Sequence, residues 1–221
     1  MDCSVDRLLE AYRFGIFPWP AAPEVVPWCS PPERAIFPMT EPLHWSRSLI
    51  RSMKKKPFEV TLDRAFEQVI DACGHREGGT WITPSLREGF LELHRQGWAH
   101  SLEVWNTHSR KLVGGIYGIA MGGFFAGESM FHHETDASKV AFASLITRLK
   151  NAGYELFDAQ ILTSHLSSLG CVAVSREEYL LRLERALLLE REFPLEPPRE
   201  STKSESSTRA PSSSAPSIEA S

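Results

Sequence analysis

The stretch from Gly122 to Gly170 constrains the fold most. It reads as a strand from Phe124 to Phe131, a helix capped by Asp136 or Ser138 and ending before Gly153, and a second strand from Tyr154 to Gln160. Ala99 to Trp105 and Leu112 to Ala120 read as strands ahead of this unit, and Val172 to Val174 as a short one behind it. That order of elements predicts an α/β (α+β) domain with a mixed, mostly antiparallel sheet.

Helices flank these strands. Residues 4–14 offer Leu8, Leu9 and Tyr12 on one face. Thr61 to Cys73 carries Leu62, Phe66, Val69 and Ile70 at helical spacing. Thr83-Pro84 is a cap followed by proline at the first helical position, and that helix runs to Gln96 and stops at Gly97. Ile161 to Leu169 suits a short helix, and Ser175-Arg-Glu-Glu178 is a capping box that opens the last one. Between Pro18 and Pro38, prolines at 18, 20, 23, 27, 31, 32 and 38 exclude regular helix and leave an extended stretch.

Composition narrows the class. With 221 residues, 42% of them apolar, the chain can bury one good core or a large and a small one. No apolar run nears the ~20 residues of a membrane span, and the N-terminus lacks a signal peptide's basic start and apolar run. Cys3, Cys29, Cys73 and Cys171 are scattered, so neither zinc nor a disulfide framework is expected, and a reducing cytoplasm is the natural compartment. A net charge of −4 does not announce a nucleic-acid binder. Its distribution says more: Arg47, Arg51, Lys54, Lys55 and Lys56 sit in one run without an acid, while acids gather in the last third. Arg47, Arg51 and Lys54 fall on one helical stripe, although most charge runs are only solvated faces. Beyond Pro194 the chain turns to Ser, Pro, Glu and Ala, too poor in large apolar side chains to order itself.

Small, aromatic and acidic residues crowd the 122–170 block. That mixture suits a site holding an apolar group beside a cation. Asp158 and Gln160, two apart on a strand, leave the same face; in a core strand such a pair is costly unless satisfied or used, and both readings stand. Glu128 shares a strand face with Met130 and can either meet a cation or satisfy the structure. Ser129 lies in Gly127-Glu-Ser-Met-Phe131, which is not a nucleophile elbow. His132 and His133 point to opposite faces of a strand, so no metal is expected. Leu145 and Leu149, at i and i+4 of a helix, read as core, as isolated tryptophans such as Trp19 and Trp81 commonly do.

Together with Phe14-Gly-Ile-Phe-Pro-Trp19, Ser30-Pro31 and Thr80-Trp-Ile-Thr83, the block resembles the bacterial leucyl/phenylalanyl-tRNA–protein transferases, in order from about Asp2 to about Leu183. The resemblance implies a GCN5-related acetyltransferase-like catalytic domain over 33–195, a truncated small N-terminal domain over 1–32, and a disordered tail over 196–221. It implies transfer of Leu or Phe, with Met a further candidate, from aminoacyl-tRNA to the α-amine of proteins beginning with Arg or Lys. Such transfer marks those proteins for N-degron degradation. It places Asp158 and Gln160 at the reaction centre and Glu128 against the acceptor's cation. Ile116, Phe125, Met130, Phe142, Leu145, Leu149 and Phe157 would form the side-chain pocket. Trp81 would stack on the terminal adenosine, with Trp19 lining the same site. Arg47, Arg51, Lys54 and Lys55 would grip the acceptor stem. The ester supplies the driving force, so no cofactor is expected, and the enzyme is expected to be a monomer in the cytoplasm. Two rivals follow. An acyl-CoA N-acetyltransferase would need a pyrophosphate loop that Phe131 to Ala137 does not supply. A non-catalytic module would bind tRNA or N-terminal Arg without turnover.

Overall fold

The computed structural model describes residues 3–19, 27–40, 45, 47–55, 57–75 and 80–195, without the side chains of Ser48 and Lys55. Lys56 and the segment 196–221, with the expectation of disorder there, lie outside the described residues. The elements in order are α1 (Val5–Arg13), β1 (Phe17–Pro18), β2 (Trp28–Cys29), β3 (Glu33–Pro38), α2 (Arg47–Lys55), β4 (Phe58–Leu62), α3 (Phe66–Gly74), α4 (Pro84–Arg95), β5 (Ala99–Asn106), β6 (Leu112–Met121), β7 (Phe124–His132), α5 (Ala137–Asn151), β8 (Leu156–Gln160), α6 (Ser164–Ser168), β9 (Val172–Ser175) and α7 (Arg176–Leu187).

Seven strands form one sheet in the order β4-β5-β6-β7-β8-β3-β9. All neighbours are antiparallel except β7 and β8, which run parallel because α5 carries the chain from one to the other. Side chains alternate across the sheet. Phe124, Tyr117 and Leu156 enter a core shared with α1, α3, α4 and α7, while Phe125, Ile116 and Phe157 enter one shared with α2 and α5. The first helix is part of the main body: Leu8, Leu9 and Tyr12 belong to the same apolar cluster as Phe90, Tyr117 and Tyr179. Its approach to α4 requires glycine at 89, where a Cβ would collide with the Cys3 carbonyl.

Local chemistry explains the helix ends. Thr83 accepts from the Leu86 N–H at 3.3 Å and Ser175 from the Glu178 N–H at 3.2 Å, satisfying two amides that have no intrahelical partner. Glu178 does not close the reciprocal half of the capping box, because its carboxylate takes Arg182 at 2.5 Å instead.

Two readings of the sequence change. The expected helix over Thr61 to Cys73 splits into the end of β4, a turn at Asp63 with φ 53°, and α3. Leu62 sits four residues before Phe66 by coincidence of spacing. Its side chain follows strand alternation, with Val60 and Leu62 packing on the α5 side and Thr61 buried on the other. The extended proline-rich stretch contains β3, an interior strand between β8 and β9. Its prolines lie outside or at the end of the run, so residues 34–37 keep the amides that a central strand must donate.

Candidate functional site

The parallel ladder between β7 and β8 is short. It pairs Phe124 with Leu156, Phe125 with Phe157 and Ala126 with Asp158, and then stops. Both strands are irregular just past that point. On β7 the register against β6 shifts between Tyr117 and Gly118, leaving Glu128 as an extra residue between Gly127 and Ser129. The bulge needs glycine at 118, where a Cβ would collide with the Ala126 carbonyl. On β8 the register against β3 shifts between Ala35 and Ile36, so Ala159 is extra, and Gln160 takes a left-handed backbone with φ 64°. Bulges bend and twist a strand. A cavity of about 820 Å³ opens where the ladder ends, with Gly127 to His133 along one wall and Ala159 to Ile161 along the other.

The polar end of this cavity is Glu128 with Gln160. The Gln160 Nε2 donates to Glu128 Oε1 at 2.9 Å. The Tyr12 hydroxyl is buried beside Glu128, close enough to favour its charged form, although neither that hydroxyl nor Glu128 Oε2 reaches full hydrogen-bond geometry among the described residues. Burial pushes the Glu128 carboxyl up to about 8. Tyr12 and Gln160 pull against that shift, the Asp158 charge adds to it, and Arg34 opposes it. Near neutral pH Glu128 is therefore poised between acid and carboxylate. The Tyr12 phenol is held well above its ordinary value, first by its own burial and then by Glu128.

Asp158 does not share that face. The bulge at Ala159 and the left-handed turn at Gln160 break the alternation on which the sequence expectation rested, and Asp158 is fully buried outside the cavity. Its Oδ1 accepts from Arg34 Nε at 2.8 Å and from the Gln160 backbone N–H at 2.8 Å; its Oδ2 accepts from Arg34 Nη2 at 2.6 Å and from the Tyr179 hydroxyl at 2.8 Å. Arg34 also donates to the Gly15 carbonyl at 2.9 Å and lies between the rings of Phe17 and Tyr179, 4.3 and 4.4 Å from their centroids. Burial works against the Arg34 cation, but the Asp158 charge outweighs it and raises the guanidinium pKa. Tyr179 is held well above the ordinary phenol value, first by burial and then by Asp158. Sequence reasoning overlooked Arg34 and Tyr179. The one signal was a charged residue immediately before the apolar run Ala35-Ile-Phe37.

The apolar end holds Ile116, Met130, Phe142 and Phe157, all on the cavity wall, with Phe37 as an unanticipated neighbour. Phe37 packs 4.5 Å from Phe142 and 5.5 Å from Phe157, ring centre to ring centre. Phe125, Leu145 and Leu149 do not reach the cavity. They are buried in the core beneath these rings, Phe125 with its centroid 5.2 Å from Phe157. Trp19 and Trp81 both line the wall, Trp19 being 44% exposed. Arg47, Arg51 and Lys54 are exposed on α2 as the stripe requires, and Lys55 ends that helix. Ser52 ties α2 to the site: its hydroxyl donates to Asp136 Oδ2 at 2.7 Å, and Asp136 lies on the cavity wall.

Comparisons with known proteins agree on one family. A family model described as "Leucyl/phenylalanyl-tRNA protein transferase" matches residues 36–184, and one for that family's N-terminal domain matches residues 1–32. A protein of Pseudoalteromonas atlantica named leucyl/phenylalanyl-tRNA–protein transferase is 45% identical over 205 residues, covering 91% of this chain and 86% of its own. A protein of the same name from Pseudomonas fluorescens is 48% identical over 190 residues, covering 84% and 82%. Among solved structures, FemX superposes with a TM-score of 0.52 over 77% of this chain and 66% of its own, at 11% identity, which speaks to fold alone. The fold is the α/β arrangement with a mixed, mostly antiparallel sheet expected from the order of elements, and FemX shares it.

Proposed function

The chain belongs to the leucyl/phenylalanyl-tRNA–protein transferase family, and we propose that it moves Leu or Phe, with Met a further candidate, from the tRNA ester to the α-amine of a protein beginning with Arg or Lys. One observation carries this reading. Glu128 and Gln160 are hydrogen-bonded at one end of a cavity whose other end is aromatic and aliphatic. An esterified apolar side chain fits the second end and a cationic chain terminus the first.

In the reaction the amine nitrogen bonds to the ester carbonyl carbon. The ester C–O bond then breaks, and the departing ribose oxygen takes up the proton the amine has shed. An α-amine has a pKa of ~7.7–8.0, and Glu128 sits at about 8. Burial thus brings the carboxyl into the range of an α-amine, where it can exchange a proton with the acceptor. Gln160 aligns the amine through its side-chain amide, and Asp158, out of reach of substrate, acts through Gln160. Apolar walls discriminate weakly, at ~1–3 kcal/mol per methylene, so the shape set by Phe37, Phe142 and Phe157 sorts the donor.

Trp19 and Trp81 on the cavity wall suit the terminal adenosine. Arg47, Arg51 and Lys54, on a helix tethered to that wall through Ser52, suit acceptor-stem phosphates; such contacts carry no base identity and so admit several tRNAs. Among the described residues no helix is long and apolar enough to cross a membrane. The test is incubation of purified protein with radiolabelled leucyl-tRNA and an Arg-starting peptide. Label is expected in the peptide. Unlabelled peptide while the tRNA remains charged refutes the reading.

A further inference from the structure

We propose that Arg34 and Tyr179 are positioning residues for the transfer reaction: through Asp158 they lock the left-handed turn at Gln160 that aims its side-chain amide at Glu128. This rests on the transferase reading above, and adds two residues that do not themselves line the cavity.

The argument starts from the turn. A non-glycine residue at φ 64° is disfavoured, and Gln gains nothing locally from that conformation. Something must hold it. The Gln160 N–H is pinned by Asp158 Oδ1 at 2.8 Å, which closes a short loop over Ala159 and turns the Gln160 side chain out of the sheet toward Glu128. Asp158 can act as an anchor only if it is itself immobile. Arg34 grips both of its oxygens in a fork, and Tyr179 donates to the second oxygen. A planar guanidinium gripping both carboxylate oxygens fixes orientation as well as charge, which a lysine would not do. Among the described residues four hydrogen bonds thus converge on a carboxylate with no solvent exposure, and its link toward the cavity is the Gln160 amide. The holders come from β3 and α7, so α7 is coupled to the polar end of the cavity.

A group whose task is geometric shows itself in turnover, not in substrate affinity. Tyr179→Phe removes one donor to Asp158 but keeps the ring that lies against Arg34. The expected result is a fall in kcat on the order of 10–100-fold, the scale of a small misplacement of a reacting group, with KM for leucyl-tRNA and for the peptide unchanged. The acidic limb of the pH–rate profile should move to higher pH, because Glu128 loses the Gln160 bond that favours its charged form. In a Gln160→Ala background the same substitution should change kcat less than about twofold, since the residue through which it acts is gone. A readout independent of turnover is hydrogen exchange. The Gln160 backbone N–H should exchange about tenfold faster or more in Tyr179→Phe, while α7 amides keep their protection. Arg34→Met leaves Asp158 buried without its counter-charge and is expected to fold poorly, so Arg34→Lys is the companion variant. It should lower kcat like Tyr179→Phe, at unchanged KM. Unchanged kcat and unchanged Gln160 exchange in Tyr179→Phe overturn the proposal. So does an equal loss of kcat with and without Gln160. Absence of transfer by the unmodified enzyme counts against the transferase reading, and the exchange measurement still decides the lock.

Discussion

Glu128→Gln isolates the electrostatics of the site. The substitution keeps the shape of the side chain and an oxygen that accepts from Gln160 Nε2, but removes the titrating group. In the folded protein burial moves the Glu128 carboxyl from an ordinary 4.5 up to about 8. Between those two pH values the folded state keeps a proton that the unfolded chain has lost. Stability contributed at this position therefore falls as pH rises from about 4.5 to about 8, and is flat above. At ~1.4 kcal/mol per pH unit the whole range corresponds to about 5 kcal/mol, and the window from about pH 5.5 to 8.5 to about 3 kcal/mol. Other groups titrate as well, so the quantity to follow is the difference between variant and parent. Thermal melting across that window should show the Gln variant gaining on the parent by about 6–12 °C, taking ~2–4 °C per kcal/mol for a chain of this size. Two melting curves that stay parallel from pH 5.5 to 8.5 would refute the claim that burial raises the Glu128 carboxyl. In the same preparation, transfer should lose its dependence on a group near 8 and fall in rate.

Other perturbations address the two ends of the donor. Neutralising Arg47, Arg51 and Lys54 together should weaken tRNA binding and reduce the slope of log K against log salt by about 2–3, at ~0.7–0.9 per phosphate contact; an unchanged slope moves the tRNA footprint elsewhere. Phe157→Ile should deepen the apolar end toward Phe125 and shift the Phe-to-Leu transfer ratio toward Phe by on the order of tenfold. Competition between phenylalanyl- and leucyl-tRNA reads this directly, and an unaltered ratio means the ring does not limit depth.

Much of the fold was legible because periodicity is a local property. The strands over 99–105, 112–120 and 124–131, the crossing helix, and the caps at Thr83 and Ser175 all follow from spacing and from amides that need a partner. The basic stripe of α2 was legible for the same reason. Strand β3 was not, because the prolines flanking residues 34–37 carry a stronger local signal than the few residues that pair. Leu62 was misassigned because helical and strand spacing coincide over so short a run.

Glu128 and Gln160 stand out in the chain itself, and the resemblance adds Ile116, Met130, Phe142, Phe157, Trp19 and Trp81; the structure brings all of them to one cavity. Which of the acids faces the cavity was a tertiary matter. Alternation places Asp158 and Gln160 side by side only on a regular strand, and one extra residue at Ala159 turns them apart. That bulge depends on a partner strand more than a hundred residues upstream, and the carboxylate it hides depends on Arg34 and Tyr179 from opposite ends of the chain. Register and burial arise from pairings between distant segments, and no local pattern encodes them.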